Sequence, residues 1–222
     1  MANELSKPGS ENTGIETALD VAAVISSAVP WIGGPVSSVL SGKSFGRKIA
    51  RIREILEGLA EDLKGFKTQI SEEYVKTEDF EELLEQTLRK TADERNPDKR
   101  RQYRAFLSNL VRSPGASYDN LIHLLRMLEQ LPQEGLNVLE AISLTPVSTN
   151  APFGSPLHTL SRRVQGVPEH RIEELVAQLQ TLGLVGTRMR SLKVTMTAHG
   201  AEDLRHMVPP LGWDLLRYIN VR

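Results

Sequence analysis

Arg47–Gln69, RKIARIREILEGLAEDLKGFKTQ, is the stretch on which the fold turns. Ile49, Ile52, Ile55, Leu56, Leu59 and Leu63 recur every three or four residues. That spacing gathers them into one stripe of an α-helix and turns Arg51, Arg53, Glu54, Glu57 and Glu61 away from it. A helix with one apolar stripe needs partners of the same kind, so the neighbouring sequence must supply them.

C-terminal to it, it does. Thr77 is a good N-cap, with Glu78 and Asp79 in the first turn, and Phe80, Leu83, Leu84, Thr87, Leu88 and Thr91 form the next buried face. Asn96-Pro97-Asp98 breaks and restarts the chain, with Asn as cap and Pro at the first helical position. Tyr103, Phe106, Leu107, Leu110 and Val111 carry the stripe on until Ser113-Pro114-Gly115 ends it. Tyr118 to Gln130 is a further helix, and Pro132 opens one that reaches about Ser143. After a loop from Thr145 to Ser155, Ser155-Pro156 caps a short helix to Val164, and Pro168 opens another whose buried face is Ile172, Leu175, Val176, Leu179 and Leu182. Gly183 sits where a glycine stop belongs. Beyond it Val185, Thr187 and Met189, then Leu192, Val194 and Met196, alternate with polar or small residues. Period-two patterning around Arg190-Ser191 predicts a β-hairpin. Trp213, Leu215, Leu216, Tyr218 and Ile219 close the chain as a final apolar segment.

N-terminal to Arg47 the pattern changes. Residues 1–14 are polar and aperiodic, as expected of a flexible leader. Val21 to Ser41 is 21 residues without a charge. A single membrane span needs about 20 apolar residues. Pro30, Gly33, Gly34 and Pro35 interrupt this one and predict two short helices about a Pro-Trp-Ile-Gly-Gly-Pro turn. The expected organisation is therefore a leader, 1–14; an antiparallel helical bundle with an apolar N-terminal hairpin, 15–115; and a smaller domain, 116–222.

Composition bounds the chemistry. With 27 Lys and Arg against 28 Asp and Glu, the formal charge is -1, so no global field favours nucleic acid. The chain has no cysteine, which excludes disulfides, thiol catalysis and cysteine metal sites. No secretory signal is visible, and the expected location is cytoplasmic or peripheral to the inner membrane face.

The run Glu173 to Val185, EELVAQLQTLGLV, followed by the expected hairpin and then Leu211-Gly212-Trp213-Asp214-Leu215-Leu216, resembles the close of bacterial winged-helix domains. The resemblance covers roughly 132–222 and implies a winged-helix-like domain, a fold that serves both DNA binding and protein contacts. The whole plan resembles uncharacterised bacterial proteins that join a helical bundle to a winged helix, some of them in defence or stress loci. The fold class expected is thus mainly α, with one β-hairpin.

Catalytic patterns fail on their own requirements. Gly42-Lys43-Ser44 lacks the glycine that a phosphate loop places five residues earlier; that position is Ser37. Gly42-Lys43-Ser44-Phe45-Gly46 fits a nucleophile elbow only by spelling, because no strand precedes it. His123, His158, His170, His199 and His206 show no i, i+4 metal spacing, and the carboxylates from Glu72 to Glu85 read as a solvated helix face. A non-enzymatic protein without cofactor is expected.

Two surfaces remain. Lys43, Arg47, Lys48, Arg51 and Arg53 follow the uncharged segment directly, with no acid before Glu54, and Trp31 and Ile32 lie at its turn. A basic stretch beside an apolar one attracts anionic lipid at about 1 kcal/mol per charge. These seven residues are the expected contact with a membrane or a protein partner, self-association included. The bland alternative makes the hairpin bundle core and pairs the basic stretch with Glu54, Glu57 and Glu61. The other surface is the basic hairpin, Arg188, Arg190 and Lys193, with Arg162 and Arg163 nearby in sequence. It would serve a DNA-binding regulator, although the preceding helix offers Glu169, Glu173 and Glu174 to phosphate.

Overall fold

The structure, a computed structural model, describes residues 45–65, 71, 73–112, 115–146, 153–187 and 191–220. Among the described residues it is mainly helical, with nine α-helices and one two-stranded antiparallel sheet. The leader, the hairpin of 21–41, Trp31, Ile32 and Lys43 lie outside the described residues, as do Arg188 and Arg190. The chain divides into two units of contact, the first Met1–Leu121 with Ile219–Arg222, the second Ile122–Tyr218.

In the first unit α1 (Phe45–Gly65) packs against α2 (Glu78–Asp93) and α3 (Pro97–Arg112). The stripe legible in the sequence is the stripe buried: Ile49, Ile52, Ile55, Leu56, Leu59 and Leu63 of α1 meet a core that includes Phe80, Leu83, Leu84, Leu88, Tyr103, Phe106 and Leu107. Burying each such side chain is worth about 1.5–3 kcal/mol. The caps form as expected. The Thr77 hydroxyl accepts from the Phe80 N–H at 3.3 Å, and the Asn96 side-chain oxygen accepts from the Asp98 N–H at 2.9 Å.

The helix α4 (Tyr118–Gln130) runs through the division between units at Leu121 and Ile122. The second unit continues with α5 (Gln133–Ser143), β1 (Phe153–Gly154), α6 (Pro156–Arg163), α7 (Glu169–Thr181), β2 (Met196–Thr197), α8 (Ala198–Glu202) and α9 (Pro210–Ile219). Gly183, at φ +71°, stops α7. The Leu184 N–H reaches the Leu179 carbonyl at 2.9 Å and the Gly183 N–H reaches Gln180 at 3.0 Å, the paired bonds of a left-handed helix cap. Gly212 is fixed by crowding: a β-carbon there would stand 2.5 Å from the Leu184 carbonyl oxygen.

The sheet differs from the expected hairpin. Met196–Thr197 pairs not with the described residues 185–187 but with Phe153–Gly154, Phe153 opposite Thr197 and Gly154 opposite Met196. Among the described residues of 184–195 no strand forms. The alternating apolar residues there are anchored one at a time. Val185 is buried, the Gly186 N–H bonds the Met207 carbonyl at 2.7 Å, and Leu192 is buried with its carbonyl receiving the Leu157 N–H at 2.9 Å, while Val194 is exposed. Period two in the sequence therefore corresponds here to neither a ladder nor a regular alternation of burial among the described residues. The helix α8, which follows β2 directly, had no periodic signal: it is five residues long, capped by the Thr197 hydroxyl on the Gly200 N–H at 3.3 Å.

Candidate interaction surfaces

The basic end of α1 is only partly free to meet a partner. Helix ends leave carbonyls without intrahelical donors and carry negative dipole charge at the C-terminus. The C-terminal end of α2 is served by cations of its neighbours. Arg51 donates to the Ala92 carbonyl at 2.9 Å and Lys48 pairs with Asp93 at 2.6 Å. From α3, Arg100 donates to the Arg95 carbonyl at 3.0 Å and to Glu54 at 2.8 Å. Lys48 and Arg51 thus tie α1 to α2, and the pairing with Glu54 weighed from helical spacing goes instead to Arg100. Arg47 is exposed and Arg53 half-buried.

The outward face of α1 carries a shallow groove of about 420 Å³, with Ala50, Arg53, Glu57 and Glu61 along it. Arg104 of α3 reaches across Gly58 into the same groove and pairs with Asp62 at 3.3 Å, to which Ser108 also donates at 2.8 Å.

In the second unit the suspected nucleic-acid cations face carboxylates of the same chain. Glu202, only 4% exposed, receives Arg163 at 2.9 Å and Thr159 at 3.3 Å, and Arg162 also bonds it. Arg163 further donates to the Ala141 carbonyl at 2.8 Å and to the Glu202 carbonyl at 3.1 Å, so one buried guanidinium joins α5, α6 and α8. Lys193 pairs with Glu173 at 3.0 Å. On α7, Arg171 bonds Glu134 at 3.0 Å and Glu174 at 2.9 Å, and these hydrogen bonds, Glu174 first, push its pKa above the ordinary guanidinium value. Arg162, Arg163 and Lys193 are therefore not brought together as one open patch. Sequence reasoning missed Glu202, which gave no signal beyond one acid among eight in the region; a buried carboxylate is recognisable only once its arginines are seen around it.

Large apolar side chains exposed among the described residues are Leu144, Phe153 and Val194, all in the second unit. Among the described residues, no cluster of three or more His, Cys, Asp or Glu could hold a metal, and no helix is long and apolar enough to cross a membrane. Comparison with protein-family models, curated proteins and solved structures finds no match to this chain.

Proposed function

We propose that this is a non-enzymatic interaction protein that meets an anionic membrane surface through its uncharged segment, Val21–Ser41, and the basic residues beside it. The observation that carries this is the junction itself. Twenty-one uncharged residues, with Trp31 and Ile32 at their centre, lead through Lys43 into a helix whose first described side chains, Arg47 and Lys48, are exposed cations. Arg47 and Lys43 supply the lipid-directed charge, while Lys48 and Arg51 are tied to α2. The test is flotation with anionic and neutral vesicles. Full-length protein is expected to float with the anionic ones, and K43Q/R47Q to lose most of that binding while keeping its thermal stability. Binding unchanged in K43Q/R47Q would refute the role of these two charges, and full-length protein that does not float with anionic vesicles would refute the membrane reading, leaving a protein partner or the bundle core as the place of this segment.

For the second unit we favour a winged-helix-like arrangement that serves assembly or control. The order α5, β1, α6, α7, β2, with β1 antiparallel to β2, supports it: a short strand between the first two helices pairs with the strand that follows the third. The intramolecular partners of Arg162, Arg163, Arg171 and Lys193 favour protein contact over phosphate contact.

A further inference from the structure

Arg47, Ala50, Arg53, Glu54, Glu57, Ala60 and Glu61 share the outward side of α1 at three- and four-residue spacing, and each is exposed or half-buried. Charge is segregated along this face: arginines at its N-terminal half, glutamates at its C-terminal half. We infer that α1 is a self-association surface on which a second copy of this chain packs antiparallel, with the two-fold axis at the level of Ile55. Arg53 and Glu57 lie two residues to either side of Ile55, so each Arg53 meets the Glu57 of the other copy. Ala50 and Ala60 lie five residues to either side and meet likewise, giving small side chains where the helices approach. Arg47, eight residues before Ile55, and Glu61, six residues after it, sit along the same edge, where their long side chains can pair across the interface. Glu54 would meet its own copy, and each is already neutralised by Arg100 at 2.8 Å. Such an interface is isologous and closes on itself. A parallel pairing would set Arg53 on Arg53 and Glu57 on Glu57, so charge selects the antiparallel one. The 21-residue helix is about 31 Å long, enough for the whole set to engage. This inference goes beyond the membrane assignment and stands or falls separately, because its readout is mass in the absence of lipid.

The experiment is sedimentation equilibrium of the full chain. A concentration-dependent dimer, twice 24.7 kDa, is expected. R53E and E57R should each raise the dimer Kd by about tenfold or more, since like charges then face each other twice per dimer; R53E/E57R, which swaps the charges, should restore association. Because the chain has no cysteine, introduced thiols report register cleanly. A50C mixed with A60C should cross-link, and neither alone should. A chain that stays at 24.7 kDa at every concentration, as it would if its own N-terminal residues covered α1, overturns the inference. So does dimerisation indifferent to R53E and E57R, or cross-linking of A50C to itself.

Discussion

The two units solve the same problem, where to put arginines near a helix end, in opposite environments. In the first, Arg51, Lys48 and Arg100 gather at the C-terminal end of α2, and Lys48 and Asp93 stay about half or more exposed, at 48% and 70%. In the second, Arg163 and Glu202 are buried almost completely, at 8% and 5% of their side chains. The first pair is open to water, whereas the second is largely shielded from it. A pair near solvent loses little when broken, whereas a buried one leaves an uncompensated charge behind. The difference also separates two kinds of basic residue that look alike in sequence: those built into the fold and those open to a partner.

The largest effect should therefore come from Glu202→Gln, which leaves Arg163 buried without its carboxylate. A loss of about 3 kcal/mol or more is expected in the second unit, read as a lower urea midpoint and as faster amide exchange in α5, α6 and α8. If exchange rises instead in α1–α3, the node does not belong to the second unit alone. Next, Arg51→Gln should cost about 1 kcal/mol through the lost bond to the Ala92 carbonyl, and Lys48→Gln no more than about 0.5 kcal/mol; equal losses would erase the distinction drawn between them. The smallest effect is one of pH. Burial raises the pKa of Tyr218, with Asp214 adding and Arg217 opposing. Its neutral form is the one the fold holds, so this contribution is intact below the ordinary value of 10.0 and is lost as pH rises from there through the folded pKa. Tyr218→Phe should flatten the dependence of the urea midpoint on pH above about 10 while leaving it unchanged at neutral pH; an unaltered alkaline slope would place the titration elsewhere.

Much of the helical fold was legible because its signals are local. The α1 stripe, the Thr77 and Ser155 caps, the prolines that precede or open α3, α5, α6 and α7, and the Gly183 stop each act within a turn or two of the chain. The sheet was not, because its partners, Phe153 and Thr197, are joined across α6 and α7, and two-residue strands leave no pattern to find. Among the site residues, the same limit applied. Helical spacing suggested Glu54 as a partner for the α1 cations, but Arg100 of α3 takes it, and only the packing of three helices reveals that. Arg162 and Arg163 looked free beside a basic hairpin because the carboxylate that claims them stands about forty residues away.

The most direct test of a lipid-facing N-terminal segment uses its single tryptophan. The chain has two, Trp31 and Trp213. In a W213F variant all indole emission comes from Trp31. Anionic vesicles should shift that emission to the blue, neutral vesicles should not, and salt should reverse the shift as it screens Lys43 and Arg47. Emission that stays unchanged with anionic lipid in excess would contradict membrane engagement by Val21–Ser41.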